Sequence, residues 1–215
     1  MNLELLMTAK AHTQLSPNQY FKVLAIYSLL LSAISFSVNV SSAQLHGVEF
    51  SETSRIVNTE KNVSIDLQLN GVGTRSYGLL RTKIYVAALY LESPSSVDID
   101  ILRSEKSKQI KMQYLRSIDQ DDMREAWVYY FEENCPERDC SAHQQSIDQF
   151  MNSVIDAKPD DEYDYRFFSD SVEILINDES LARINNAAFS RLLLSTWIGD
   201  KPPTKRLKHN LLNAK

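Results

Sequence analysis

The chain of 215 residues is 43% hydrophobic and 24% charged, a balance that excludes wholesale disorder and supplies one ordinary domain with a core. Its formal net charge of −5 leaves no surplus of Lys and Arg to neutralise phosphates, which argues against nucleic acid as the main partner. Two Cys and four His leave little room for a metal cluster, so neither a metal nor a cofactor is expected.

The first informative stretch is the apolar run VLAIYSLLLSAISFSV, Val23 to Val38, preceded by Lys10 and Lys22. It carries four Ser and no charge, and Ser41 and Ala43 follow at the −3 and −1 positions of a small-residue cleavage site. This is the pattern of an export signal, whose apolar core runs about 7–15 residues. As an uncleaved anchor the run falls short of the ~20 residues that span a bilayer. The region ahead of it is long for a signal, and Met7 offers a second start. Residues 1–43 are expected to be a signal peptide and residues 44–215 one domain, periplasmic or secreted, with no stable membrane span after cleavage.

Residues 44–62 are polar apart from Val48-Glu49-Phe50 and predict a first strand or a loop. Val63, Ile65, Leu67 and Leu69 alternate with polar residues, the period of a half-buried strand. That strand runs into Asn70-Gly71-Val72-Gly73, where the glycines permit a bend or bulge. Thr82 to Leu91 (TKIYVAALYL) is apolar on both faces, as suits a central strand covered on both sides. Ile110, Met112 and Tyr114 alternate with Gln109, Lys111 and Gln113, which predicts a strand with one wet face.

Asp119 can cap a helix bearing Met123, Ala126, Trp127, Tyr130 and Phe131, with Asp121 and Asp122 at its positive end. Then comes ENCPERDCSAH. In an oxidising compartment two nearby Cys most often pair, so a Cys135–Cys140 disulfide is expected. A metal site with His143 would have only three ligands. Ile147, Phe150, Met151, Val154 and Ile155 have the spacing of a second helix. Tyr163, Tyr165 and Phe167, then Val172, Ile174 and Ile176, alternate as two strands leading into a turn at residues 177–180. A third helix is expected from Asn185 to Gly199, and a short basic one carries Leu207, Leu211 and Leu212. The order of elements predicts an α+β fold around a mostly antiparallel sheet.

No phosphate loop, dinucleotide fingerprint, zinc-protease helix or nucleophile elbow occurs. The informative segment is LNGVGTRSYGLLRTKIYVAALYLES, Leu69 to Ser93. Its L-x-G-x-G-x-R stretch before K-x-x-x-A-x-x-Y-L resembles the chalcone isomerase superfamily, particularly its bacterial chalcone isomerase-like branch. LRSIDQDDMREAW, from Leu115, and STWIGDKPPTKRLKHNLL, from Ser195, extend the resemblance over roughly residues 62–213.

The resemblance implies an open-faced sandwich, a large antiparallel sheet packed against a layer of helices, with a ligand cleft between them. The cleft of the plant enzymes uses an Arg, which matches Arg75, and a Ser/Thr, which matches Thr196. Their strand Thr falls on Tyr85, their Asn near Ala126, and their catalytic Tyr near Asp119 without a firm alignment. Closing a chalcone ring requires stabilising a phenolate, polarising a ketone and holding a folded conformer, and this donor set is thin for that work. The superfamily also includes non-catalytic members that grip a fatty-acid carboxylate with an Arg and a Tyr. Arg75, Tyr85 and Thr196 are thus the expected ligand-binding residues, for a small amphipathic or carboxylate-bearing molecule such as a fatty acid. The alternatives are an intramolecular lyase and an envelope accessory protein with a vestigial cleft.

Overall fold

A computed structural model describes residues 42–213; of the expected signal peptide, only Ser42 and Ala43 lie among them. Both belong to β1 (Ser42–Leu45), which pairs with β2 (Val48–Ser51) across His46 and Gly47. Those two residues have positive φ, the conformation a two-residue turn needs to match the twist of its strands. Cleavage after Ala43 would leave the Gln44–Glu49 and Leu45–Val48 pairs of this hairpin.

Seven strands follow in one antiparallel sheet, neighbours in space as in sequence: β3 (Thr53–Asn58), β4 (Val63–Tyr77), β5 (Thr82–Leu91), β6 (Lys108–Tyr114), β7 (Glu162–Phe167), β8 (Val172–Ile176) and β9 (Glu179–Ile184). Helix α1 (Asp98–Arg103) joins β5 to β6. Helices α2 (Gln120–Asn134) and α3 (Gln144–Asn152) join β6 to β7, and α4 (Ala187–Ile198) and α5 (Lys205–Leu211) close the chain. The expected α+β architecture, an antiparallel sheet against a helical layer, is the one the chain forms.

The sheet buries both faces at β5, as its unbroken apolar run requires. Tyr85, Leu89, Met112 and Tyr165 face the helices and pack on Trp127, Phe131, Phe150 and Trp197. Val86, Ala88 and Tyr90 face the other way, onto Val48 and Phe50 of the hairpin and Ile56 and Leu67. The sheet is curled, so its two edges approach each other on this second face. Arg183 of β9 pairs with Glu60, just beyond β3, at 3.0 Å.

The curl closes the expected wet face of β6 at Gln109, whereas Lys111 and Gln113 stay partly exposed. Gln109 is 1% exposed and its amide donates to Asp164 at 2.8 Å; Arg166 donates to the same carboxylate at 2.7 Å. Burial raises the pKa of Asp164 above the ordinary carboxylate value, although Arg166 opposes the shift. The Gln109 amide and Arg166 satisfy the Asp164 carboxylate, while Gln109 Oε1 is left without a partner among the described residues.

Gly71 and Gly73 lie where α5 crosses β4. A Cβ at Gly71 would come within 2.2 Å of the Asn210 carbonyl oxygen, and one at Gly73 within 2.9 Å of the Leu207 side chain. The expected bulge occurs between Leu69 and Gly71. Asn70 turns inward there, donating to the carbonyls of Ser95 and Leu211 and accepting from the Ser95 N–H.

Asp119 caps α2 by accepting from the Asp122 N–H at 2.9 Å. Met123, Trp127 and Phe131 form its buried stripe, whereas Ala126 lies off that face and is exposed. Cys135 and Cys140 form a disulfide that closes the loop after α2, with Cα atoms 5.4 Å apart. The turn after β8 is only Asn177-Asp178, both with positive φ, so Glu179 and Ser180 open β9 instead of completing a loop. Asn186, one residue later than expected, caps α4. No helix among the described residues is long and apolar enough to cross a membrane.

Candidate functional site

The bulge in β4 sets the register that brings Arg75 directly opposite Tyr85 of β5. The Arg75 guanidinium donates from Nη2 to the Tyr130 hydroxyl of α2 at 2.8 Å and from Nη1 to the Ser76 carbonyl. It also lies 5.7 Å from the centre of the Tyr77 ring. Arg75 is half-buried and takes part in no ion pair among the described residues. A partly desolvated cation is therefore matched only by neutral oxygens and a ring face, which leaves it able to take an anion.

Tyr85 is 8% exposed, with its ring 5.6 Å from Tyr114, which in turn lies 4.9 Å from Tyr163. Burial lifts the Tyr85 phenol well above its ordinary pKa; Tyr130 adds to that shift, while Arg75 and a hydrogen bond from Trp197 oppose it. Burial likewise raises Tyr130, against the pull of Arg75. Both phenols hold their protons at neutral pH and can donate. The Tyr130 oxygen accepts from Arg75, and among the described residues its O–H donates to no other group, so it can serve an incoming oxygen.

Of the three expected residues, Arg75 and Tyr85 are brought together. Thr196 is 1% exposed, and its hydroxyl donates to the Leu193 carbonyl at 2.7 Å within α4. The contact from α4 to Tyr85 is made by the next residue, Trp197. Tyr130 was not an expected site residue: its helical position reads as packing, and only the approach of α2 to β4 discloses its contact with Arg75.

Thr74 and Ser76, which flank Arg75 on β4, line a cavity of about 550 Å³. His46, Arg81, Lys83 and Arg206 also line it, and among the described residues no carboxylate does. Lys83 Nζ lies 3.0 Å from His46 Nδ1. Desolvation, then the charge of Lys83, holds the His46 pKa below its ordinary value, so the imidazole is neutral at neutral pH and accepts from the ammonium.

A family profile described as chalcone isomerase-like matches residues 42–213. No curated protein matches the sequence. Among solved structures, a fatty-acid binding protein of Arabidopsis thaliana is similar in fold, with a TM-score of 0.59 and 14% identity over 74% of this chain and 96% of that one.

Proposed function

The chain belongs to the chalcone isomerase-like family, and from that premise we propose that it is a non-catalytic, exported carrier of a carboxylate-bearing amphipathic molecule such as a fatty acid. The observation that carries this reading is the Arg75 guanidinium, half-buried, without an acidic partner among the described residues and bonded to the Tyr130 hydroxyl. A carboxylate can accept from the Arg75 fork and from Tyr130 together, with Tyr85 as a third donor nearby. The aromatic core of Tyr114, Trp127 and Trp197 on the same side of the sheet suits contact with the hydrocarbon part. The fatty-acid binding neighbour from Arabidopsis supports this reading by analogy of fold.

Ring closure is not favoured. Ala126 stands exposed on α2 near the position where the plant enzymes place an Asn, and it has no side-chain donor. A lyase needs donors aimed at both a phenolate and a ketone.

The test is native mass spectrometry of protein purified from the exported fraction, beside Arg75→Ala. The parent should retain a lipid acid, and the variant should lose it with its fold intact. Removing one charged partner from such a site weakens binding by roughly 2–5 kcal/mol. A variant that keeps its ligand would overturn the carboxylate clamp. The same preparation should begin at or near Gln44; an N-terminus at Met1 or Met7 would reject cleaved export.

A further inference from the structure

The β4–β5 connection is the most exposed apolar feature among the described residues. Leu79 is 98% and Leu80 91% exposed, at the centre of a turn in which the Arg81 N–H bonds to the Gly78 carbonyl. Turn tips favour Gly, Pro, Asn, Asp and Ser for backbone reasons, and nothing in this turn's geometry calls for two leucines. Tyr77 is 69% and Tyr129 58% exposed, the first beside Arg75 and the second against the Tyr130 ring at 5.4 Å.

The second observation is charge. Arg81 belongs to this turn, and with His46, Lys83 and Arg206 it lines the 550 Å³ cavity, which no carboxylate among the described residues lines. None of Arg81, Lys83 and Arg206 takes part in an ion pair among the described residues, in a chain whose formal net charge is −5. The cations are thus gathered where the apolar side chains protrude.

We propose that the Tyr77–Arg81 hairpin tip docks on a lipid bilayer bearing anionic phospholipids. Leu79 and Leu80 enter among the acyl chains, and Tyr77 and Tyr129 lie at the level where amphipathic rings gather. Arg81, Lys83 and Arg206 meet the headgroup phosphates, and the cavity between them admits one headgroup. An uncharged protein surface would satisfy the leucines and leave the cations unmatched; an anionic bilayer satisfies both. Docking in this way would set the strand carrying Arg75 against the membrane, where a lipid acid could be collected or released.

The test is flotation of protein purified from the exported fraction, starting at or near Gln44, with vesicles of phosphatidylcholine, alone or with one third phosphatidylglycerol. At about fivefold per cation near the surface, three cations predict a preference for the anionic vesicles on the order of a hundredfold, shrinking with added salt. Leu79→Asp with Leu80→Asp should keep the parent's melting temperature, because both side chains are exposed, and lose at least about tenfold in partition. A nitrobenzoxadiazole label on Leu80→Cys should brighten and shift to the blue on anionic vesicles only. Equal partition into both vesicles, an unaffected double variant, or a label that stays dark would overturn the proposal. So would light scattering that shows the parent dimeric and the double variant monomeric, which would make the tip a self-association surface.

Discussion

Arg75 and Tyr130 divide the proposed carboxylate site between a charge and a neutral donor, and substitution separates the two. Tyr130→Phe removes a hydroxyl that accepts from the guanidinium and would donate to the carboxylate, and it leaves the guanidinium in place, so it should weaken binding of a fluorescent fatty acid by about 1.5–3 kcal/mol. Arg75→Ala should cost more, up to about 5 kcal/mol, because it leaves the carboxylate without its charged partner. Equal losses in the two titrations would mean that the pair acts as a structural strut and not as a clamp. Arg75 was legible in the sequence because it closes a glycine-marked stretch that resembles a family motif. Tyr130 was not, because nothing local distinguishes a helix residue that meets a strand 55 positions away from one that packs against its own layer.

At the scale of elements, α5 depends on the glycines beneath it. Gly71→Ala would set a Cβ 2.2 Å from the Asn210 carbonyl, which is backbone and cannot swing aside. Either α5 lifts or β4 bends, so the substitution should cost about 1–3 kcal/mol in denaturant unfolding. An unchanged midpoint would show that α5 is loosely docked. The disulfide after α2 makes the opposite kind of prediction. Only four residues separate Cys135 from Cys140, so little chain entropy is removed and the stabilisation should fall at or below about 2 kcal/mol. Thiol titration of the unfolded, unreduced protein should detect no free thiol; two would refute the pairing. The glycines were readable as a break in strand pattern, yet their reason lay outside that strand, in a helix more than 130 positions away.

The whole molecule titrates as a set of buried groups. Lys108, at the start of β6, has its pKa pushed down to about 8, mainly by burial, with Glu92 opposing and Arg191 adding. The unfolded chain keeps that proton up to about pH 10.4, so stability should rise between about pH 8 and 10. Tyr85, Tyr90, Tyr114, Tyr163 and Tyr165 are all raised by burial, so the folded state holds protons that the unfolded state releases near pH 10. Stability should then fall as the pH climbs further. Urea unfolding at about pH 7, 9 and 11 should show a maximum at the middle value, and Lys108→Met should flatten the rise on the acid side. A steady decline from the lowest pH in the parent would show that Lys108 is not buried as a charge. Above about pH 10, phenolate absorbance from these tyrosines should appear together with unfolding and not ahead of it.

Local periodicity determined the long elements of this protein: β5 from its unbroken apolar run, α2 from its cap and stripe, and α4 from its stripe and terminal glycine. Each carries its signal within a dozen or so residues, and burial of one face is sufficient to specify it. Short or polar elements carry no such signal. The hairpin of β1 and β2, strand β3, helix α1 and strand β9 were decided by tertiary contacts: Val48 and Phe50 have an apolar surface to cover only once β5 is laid down, and β9 exists because two residues, not four, close its turn. The curl of the sheet was decided at the same level. It places Gln109 and Asp164 inside, on what alternation alone marks as a wet face, because the outcome depends on where Arg183 and Glu60 meet across the two edges. The pairing of Arg75 with Tyr85 and Tyr130 has the same origin. A strand register and a helix approach place three side chains at one point, and neither is encoded in the spacing of the residues themselves.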